Sequence, residues 1–183
     1  MEELVLKAQA GDETSYFELI SIIQSDLYQI AKARLSNHED VNDVLQQTVI
    51  YAYQNIKQLH EPKYFKTWII KILINECNKM YNQNCKKATI FNKILNRDKN
   101  KSDIVDHFEN IDNKLDLEKI LDSLNFDERI CIVLFYNSGY SASEIADILC
   151  SNENTIRSRI ARAKEKIRKQ YQKGGVVNGF SQK

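Results

Sequence analysis

The sequence feature that most constrains the fold lies at residues 141–171, where the pattern predicts two helices joined by a tight polar turn. Ser143 can cap the first helix, because a short side-chain oxygen can accept hydrogen bonds from the free N–H groups of a first helical turn. Residues 150–152 then break the pattern, and Asn152 or Asn154 can cap a second, longer helix in the same way. Two helices with this connection predict a helix-turn-helix.

The second of these helices has an apolar face and a basic face. Residues 154–173 contain eight Lys or Arg residues against one acidic residue, Glu165, which suits a surface lined by phosphates. In a helix-turn-helix the first residues of the second helix meet base edges, here Thr155, Arg157, Ser158 and Arg162. Later Lys and Arg residues would lie on phosphates. A basic amphipathic helix can also be a merely solvated surface, but the preceding helix and turn favour DNA binding.

The C-terminal part of the chain also resembles a known family. Residues 121–168 resemble region 4, the promoter-reading domain of sigma-70 family transcription initiation factors, and particularly that of the extracytoplasmic-function (ECF) group. The most specific matches are YS leading to EIA within residues 140–146, and TIRSR followed by RA within residues 155–163. Asn125 and Asn154 depart from the usual proline and glycine of the family. Both can cap a helix, so we expect a shifted helix start and an intact domain.

Composition indicates the fold class and excludes several kinds of site. Five glycines and one proline among 183 residues, with many Ile, Leu, Lys, Glu, Gln and Asn residues, predict an all-α protein. The four cysteines show no CxxC pair and no histidines at ligand spacing, so we expect reduced thiols and no metal site, cofactor or disulfide framework. Because the sequence has no signal-peptide pattern and no apolar run long enough to span a membrane, we expect a cytoplasmic protein.

Charge is segregated along the chain, although the net charge is only +1. Residues 1–62 have a net charge of −6, residues 63–101 of +8, residues 102–153 of −9 and residues 154–183 of +8. Two basic blocks separated by an acidic block predict two places where the chain contacts a polyanion.

The acidic N-terminal block predicts two long amphipathic helices. Asp12 can cap the first, over residues 13–35, whose apolar positions follow the helical period: Phe17, Ile20, Ile23, Leu27, Ile30, Ala31 and Leu35. The second, over residues 39–56, has an apolar face and an outward polar face that includes Asp43, Gln46 and Gln47. The pattern alone favours a solvated surface for this polar face.

A second resemblance gives the polar face a function. Residues 43–48, DVLQQT, are similar to the DLVQET signature of sigma region 2.2, which docks on the coiled coil of the largest RNA polymerase subunit. The resemblance implies that Asp43, Gln46 and Gln47 face the polymerase, and that the C-terminal domain meets the polymerase flap. Gln47 replaces the usual glutamate, which removes a charge but leaves an amide that can form hydrogen bonds.

A loop with the only proline, Pro62, precedes a third long helix at residues 64–84. Residues 65–75, FKTWIIKILIN, resemble the FRAWLxRIARN stretch of sigma regions 2.3 and 2.4. In ECF factors this loop captures a flipped base of the non-template strand, and the helix contacts the −10 element. Resemblance and polar positions together give eight candidates: His60, Glu61, Lys63, Tyr64, Lys71, Asn75, Asn78 and Lys79. Trp68 falls on the apolar stripe and is predicted to pack in the core.

Together these features predict an all-α protein of two small helical domains joined by a flexible linker. The predicted limits are a region 2-like domain at 1–84, a linker at 85–114, a region 4-like helix-turn-helix domain at 115–171 and a disordered tail at 172–183. The resemblance implies an ECF-type sigma factor that has no catalytic residues and binds core RNA polymerase and promoter DNA. It implies −35 recognition by Thr155, Arg157, Ser158, Arg159 and Arg162, and regulation by an anti-sigma factor, often membrane-anchored.

Two other classes of protein stay open from the residues themselves. A helix-turn-helix also serves stand-alone repressors and activators, whose N-terminal helices would only dimerise and which would bind duplex DNA without polymerase. A helical enzyme would need a nucleophile arrangement, a His/Asp/Glu cluster or a Gly-rich phosphate loop, and the sequence shows none of these.

Overall fold

The computed structural model describes residues 1–95 and 123–173, and the regular elements within these ranges are all helices. The all-α prediction is therefore confirmed. Short 3₁₀ turns occur at Ile56–Gln58 and Pro62–Tyr64, and a π turn occurs at Val133–Asn137. The α-helices of the described ranges are α1 (Glu2–Gln9), α2 (Glu13–Arg34), α3 (His38–Asn55), α4 (Phe65–Leu95), α5 (Phe126–Ile132), α6 (Ala142–Ile148) and α7 (Glu153–Lys173).

Helices α1 to α4 form an N-terminal domain around an apolar core. The buried side chains recur with the helical period, because residues three and four apart share one face of a helix. The largest fully buried ones in this domain are Leu19, Ile23, Leu27, Ile30, Phe65, Ile69, Ile70 and Leu73. Asp12 caps α2, as predicted, and its side chain accepts a hydrogen bond from the Thr14 backbone N–H at 3.0 Å.

The predicted inward position of Phe17 is wrong. Phe17 is 65% exposed, and the neighbouring Tyr16 is buried in its place. The Tyr16 hydroxyl donates a hydrogen bond to the Val49 carbonyl oxygen at 2.6 Å, which ties α2 to α3. The spacing of Tyr16 to Leu19 and Ile23 fits the buried stripe, whereas Phe17 lies about 100° further round the helix.

Helix α4 continues to Leu95, beyond the end predicted near Asn84. Residues 85–95 contain neither Gly nor Pro, so nothing in this polar stretch stops the helix. The rest of the predicted linker, the start of the predicted region 4-like domain up to residue 122, and the predicted tail beyond residue 173 lie outside the described residues.

Helices α5 to α7 form the C-terminal domain, in which α6 and α7 make the predicted helix-turn-helix. Asn125 is the N-cap of α5 and forms a capping box with Glu128. The helix is therefore capped normally, although Asn125 stands where the family usually has proline. The domain core contains the fully buried Ile130, Leu134, Ile145 and Ile156.

The predicted cap of the first helix-turn-helix helix at Ser143 is wrong by two residues. Ser141 is the N-cap, and its hydroxyl oxygen accepts a hydrogen bond from the Glu144 backbone N–H at 3.3 Å. The Glu144 carboxylate in turn accepts from the Ser141 hydroxyl at 2.7 Å and from the Ser141 backbone N–H at 2.8 Å, and these two hydrogen bonds lower the pKa of Glu144. Asn152, one of the two predicted candidates, caps α7 by accepting from the Asn154 N–H at 2.8 Å.

Ser141→Ala is expected to lower the free energy of unfolding by about 1 kcal/mol, because it removes the cap of α6. Ser143→Ala is the matched control, since Ser143 is exposed within the same helix, and it should change stability by less than about 0.5 kcal/mol. Thermal or urea unfolding of both variants measures the difference. Equal losses in the two variants would contradict the assignment of Ser141 as the cap.

The N-terminal and C-terminal domains contact each other directly. Helix α5 and the π turn contact α2, and α6 contacts α4.

Among residues 1–95 and 123–173, no group of His, Cys, Asp or Glu side chains could hold a metal ion. None of the helices in residues 1–95 and 123–173 is long and apolar enough to cross a membrane.

Candidate nucleic-acid and polymerase interfaces

Helix α7 carries the predicted base-contacting residues in its first half. Arg157, Ser158 and Arg162 are exposed, and Thr155 is half-buried beside them. The Arg157 guanidinium donates hydrogen bonds to Glu153 Oε1 at 2.6 and 2.9 Å within the same helix. Exposed ion pairs of this kind contribute little stability, so a base edge or a phosphate can replace Glu153 as the partner of Arg157.

Arg159 lies apart from the other four predicted −35 residues. Its Nη2 donates a hydrogen bond to Asp127 Oδ2 at 2.6 Å, and its side chain is only 24% exposed. Two turns further along α7, Lys166 Nζ lies 2.7 Å from the buried carboxylate of Glu128. These two ion pairs join α7 to α5.

A cleft with a volume of about 490 Å³ opens between α3 and α4. A cleft of this size has room for a single nucleotide base. Its lining residues are Tyr51, Asn55 and Gln58 on the α3 side, and Trp68, Lys71, Ile72, Asn75, Glu76 and Lys79 on α4.

The cleft brings together three of the eight predicted −10 residues, namely Lys71, Asn75 and Lys79. Asn78 is half-buried and lies outside the lining. The four loop candidates are exposed and do not line the cleft: His60, Glu61, Lys63 and Tyr64. The structure therefore divides the predicted −10 set into a cleft group and a loop group.

Trp68 packs against the core and also lines the cleft. It is half-buried, and its ring centroid lies 6.1 Å from that of the buried Phe65. The predicted core packing is confirmed, but part of the ring stays open to the cleft.

Sequence analysis missed the α3 side of the cleft. Tyr51, Asn55 and Gln58 lie at positions i, i+4 and i+7, so they share one flank of α3 and its following turn. Asn55 Nδ2 donates to the Tyr51 carbonyl at 2.9 Å, and Gln58 Nε2 donates to Asn55 Oδ1 at 2.8 Å. The spacing was visible in the sequence, but the packing of α4 beside this flank was not.

Helix α3 exposes the predicted polymerase-binding residues on one face. Asp43, Gln46 and Gln47 are exposed at positions i, i+3 and i+4, while Val44 and Thr48 are buried. Amide groups, a carboxylate and the nearby exposed Ile50 give this face the mixed character of a protein-binding surface.

Two of the four cysteines have unreactive thiols in this fold. Cys77 and Cys131 are buried, and burial raises the pKa of Cys77 to about 12 and that of Cys131 to about 11. Both are protonated thiols at neutral pH and are therefore poor nucleophiles.

The fold and these surfaces define a two-domain helical DNA-binding protein whose second domain is a helix-turn-helix. Two family models match the sequence. Sigma-70 region 2 matches residues 19–85, and sigma-70 region 4 matches residues 114–167, so together they cover about two thirds of the chain.

Curated relatives match nearly the whole length. The ECF RNA polymerase sigma-E factor of Haemophilus influenzae is 28% identical over 181 residues, which cover 93% of this chain and 95% of the relative. The ECF RNA polymerase sigma factor SigW of Bacillus subtilis is 27% identical over 182 residues, covering 93% and 96%. The solved structure of CnrH in complex with the cytosolic domain of CnrY has the same fold, with a TM-score of 0.66 at 21% identity, covering 94% of this chain and 97% of that one.

The chain belongs to the sigma-70 family of RNA polymerase sigma factors, in its ECF group. It serves promoter recognition and transcription initiation with RNA polymerase. The match to region 2 as well as region 4 excludes a stand-alone repressor with unrelated N-terminal helices.

Proposed function

We propose that this sigma factor uses three surfaces, which bind RNA polymerase, the −10 element and the −35 element. The exposed α3 face with Asp43, Gln46 and Gln47 binds the coiled coil of the largest polymerase subunit. The cleft between α3 and α4 holds unpaired −10 DNA, and the first half of α7 binds the −35 element. The observation that supports this is that the three surfaces share no residue, because one lies on the exposed face of α3, one lines the cleft and one lies on α7.

The chemistry of the cleft supports binding of a single strand. Lys71 and Lys79 supply cations for phosphates, and the amides of Asn55 and Asn75 can both donate to and accept from a base edge. Tyr51 is an aromatic ring, 47% exposed, on which a base can stack. Unstacking a base step costs a few kcal/mol, and these contacts offset that cost. The loop candidates at residues 60–64 would contact the DNA that leads into the cleft.

At the −35 element, Thr155, Arg157, Ser158 and Arg162 contact bases and phosphates. Arg159 acts as a positioning residue, because its ion pair with Asp127 at 2.6 Å holds α7 against α5. The sequence predicts that Arg159 contacts DNA directly. We propose instead that Arg159 affects DNA binding indirectly, by holding α7 in position.

Arg159→Ala is expected to lower the free energy of unfolding by about 1 kcal/mol and to weaken DNA binding as a consequence, because α7 loses an anchor on α5. Arg157→Ala, whose partner Glu153 is in the same helix, should weaken DNA binding without a comparable loss of stability. Thermal unfolding and promoter binding of both variants distinguish the two roles. A direct contact by Arg159 would show as weaker binding at unchanged melting temperature.

The proposal includes the domain limits and the regulation of the protein. Residues 1–84 and 115–171 are the two functional domains, and residues 85–114, of which the first part continues α4 to Leu95, connect them. The protein acts in the cytoplasm with no catalytic chemistry of its own. The sigma factor RpoE from Bartonella quintana, 24% identical with a TM-score of 0.64, was solved with the anti-sigma factor NepR and covers 86% of this chain and 96% of that one. We propose that an anti-sigma factor also regulates this chain.

Run-off transcription tests the proposal as a whole. Purified core RNA polymerase transcribes a fragmented genomic library with and without this protein. Defined new start sites that share two upstream elements are the expected result, and they give the promoter sequence. DNA binding without polymerase-dependent initiation would overturn the assignment of the α3 face and the cleft.

A further inference from the structure

Gln9, the last residue of α1, binds the stretch of chain that leads into the loop at residues 60–64, called the −10 loop below. Its Nε2 donates one hydrogen bond to the Ile56 carbonyl oxygen at 2.9 Å and another to the Leu59 carbonyl oxygen at 2.7 Å. These partners lie 47 and 50 positions further along the chain. One half-buried side chain therefore joins α1 to the residues just before the −10 loop.

The chemistry of the two partners fixes the orientation of the Gln9 amide. A carbonyl oxygen only accepts hydrogen bonds, so the amide nitrogen with its two N–H groups must face both oxygens. The Ile56 carbonyl also accepts a hydrogen bond from the Leu59 N–H at 3.2 Å, at the 3₁₀ turn Ile56–Gln58. Gln9 thus holds this turn at both ends, and a side chain without a donor cannot replace it.

The −10 loop lies between two anchored points. Before the loop, Leu59 is buried and its carbonyl oxygen is bound by Gln9. After the loop, Phe65 is fully buried at the start of α4. Helix α1 also contacts the 3₁₀ turn Pro62–Tyr64 within the loop. The backbone of the loop is therefore supported by α1 on both sides of its exposed first residues.

The side-chain contacts within the −10 loop are exposed and hold it weakly. Lys63 Nζ lies 3.7 Å from Glu61 Oε2 and 4.9 Å from the Tyr64 ring centroid. Exposed ion pairs contribute little stability, so the half-buried hydrogen bonds of Gln9 are the stronger restraint on the loop. A loop that is already ordered loses less conformational entropy when it binds an unpaired base.

We propose that Gln9 is a positioning residue for promoter melting, which acts through the −10 loop and does not itself touch DNA. This inference rests on the proposed contact between the loop and promoter DNA. A glutamine with a merely structural role would stabilise the domain without changing how the loop binds DNA. The two roles therefore differ in what the loss of Gln9 changes.

Four variants separate positioning from stability. Gln9→Met keeps a side chain of similar length and removes both donors, whereas Gln9→Lys restores donors, since one ammonium group can bond two carbonyl oxygens. Gln9→Met combined with Ala10→Lys carries the same added charge at an exposed neighbour and controls for attraction to DNA. Tyr16→Phe is the matched control for stability, because it removes another interhelical hydrogen bond of this domain, to the Val49 carbonyl at 2.6 Å, outside α1 and the loop.

Hydrogen exchange in the free full-length protein measures the order of the −10 loop directly. The Tyr64 backbone N–H donates to the Glu61 carbonyl oxygen at 3.0 Å, so its exchange reports opening of the loop. Exchange in residues 60–64 should be about tenfold faster in Gln9→Met, because two hydrogen bonds are lost, and close to wild type in Gln9→Lys and Tyr16→Phe. Equal exchange in Gln9→Met and wild type would show that Gln9 does not order the loop, and the inference would be wrong.

Open-complex formation by the holoenzyme measures the consequence for function. Gln9→Met is expected to slow this step by roughly tenfold, and Gln9→Lys to restore about half of the wild-type rate or more. The variant that adds Ala10→Lys should stay as slow as Gln9→Met. Tyr16→Phe should form open complexes at close to the wild-type rate, although its thermal stability falls as well. A loss in Tyr16→Phe as large as that in Gln9→Met would show a structural role and overturn the inference.

A double-mutant cycle tests whether Gln9 acts through the −10 loop. Replacing Lys63 and Tyr64 together by alanine removes a cation and a 55% exposed ring from the loop. In that background Gln9→Met should cost less than about twofold, because residues that act through one another are not additive. Additive losses would overturn the inference and leave the proposed function intact. If the loop variant itself forms open complexes like wild type, the proposed function of the loop is wrong, and the inference falls with it.

Discussion

Replacing Arg157 and Arg162 together by alanine is expected to reduce promoter-selective transcription by about a hundredfold or more. Both side chains are exposed on the first half of α7, where a helix-turn-helix contacts base edges. An arginine that bonds a guanine in bidentate fashion contributes about 1–3 kcal/mol of discrimination, and two such contacts are lost. Because Arg159 stays paired with Asp127, α7 keeps its position. The double variant therefore loses only the DNA contacts of Arg157 and Arg162.

Arg168→Ala is the matched control for this double substitution. Arg168 lies later on α7, in an exposed ion pair with Glu165, where basic side chains contact phosphates without sequence preference. It should weaken binding to promoter and scrambled DNA by the same modest factor and lower the salt dependence slightly. Titrations of holoenzyme on both DNAs at several salt concentrations measure this. Equal selectivity of the double variant and wild type would rule out α7 as the −35 contact.

Patterns confined to one helix predicted the fold well, because they need no tertiary information. The polar stripe with Asp43 and Gln47 is exposed on α3, and the apolar stripe of α7 is buried at Ile156, Ile160 and Ala163. Helical period alone separates such faces. The same logic failed for Phe17, because two adjacent aromatic residues can each complete a stripe and only packing against α3 selects Tyr16.

Features that depend on two elements could not be predicted from the sequence. The cleft needs the flank of α3 with Tyr51 to lie beside α4, and these are separate stretches of the chain. The pairing of Arg159 with Asp127 spans 32 positions, so a basic helix pattern cannot tell a positioning arginine from one that contacts DNA. The contact of Arg34 with Phe126 bridges both domains, and nothing in either local pattern indicates it.

Replacing Lys71 and Asn75 together by alanine is expected to reduce open-complex formation by roughly ten- to a hundredfold, while polymerase binding stays intact. Both residues line the cleft, on the side opposite Tyr51 and Asn55. A hydrogen bond to a charged group contributes about 1.5–3 kcal/mol and a neutral one about 1 kcal/mol, and these contacts exist only after the base has left the duplex. Their loss therefore raises the cost of melting and leaves the initial closed complex unchanged. Permanganate reactivity of thymines in the −10 region reports the unpaired strand.

A promoter with a mismatched −10 segment distinguishes a defect in DNA melting from a defect in polymerase binding. In such a template the base pairs are already open, so the cost that the cleft offsets is largely absent. The Lys71/Asn75 variant should then recover most of its transcription, and Asp43→Ala, on the separate α3 face, should not. The control pair Lys7→Ala with Gln29→Ala, both exposed on other helices, should transcribe both templates like wild type. A Lys71/Asn75 variant that stayed inactive on the mismatched template because it no longer bound core polymerase would show that the cleft belongs to the polymerase interface.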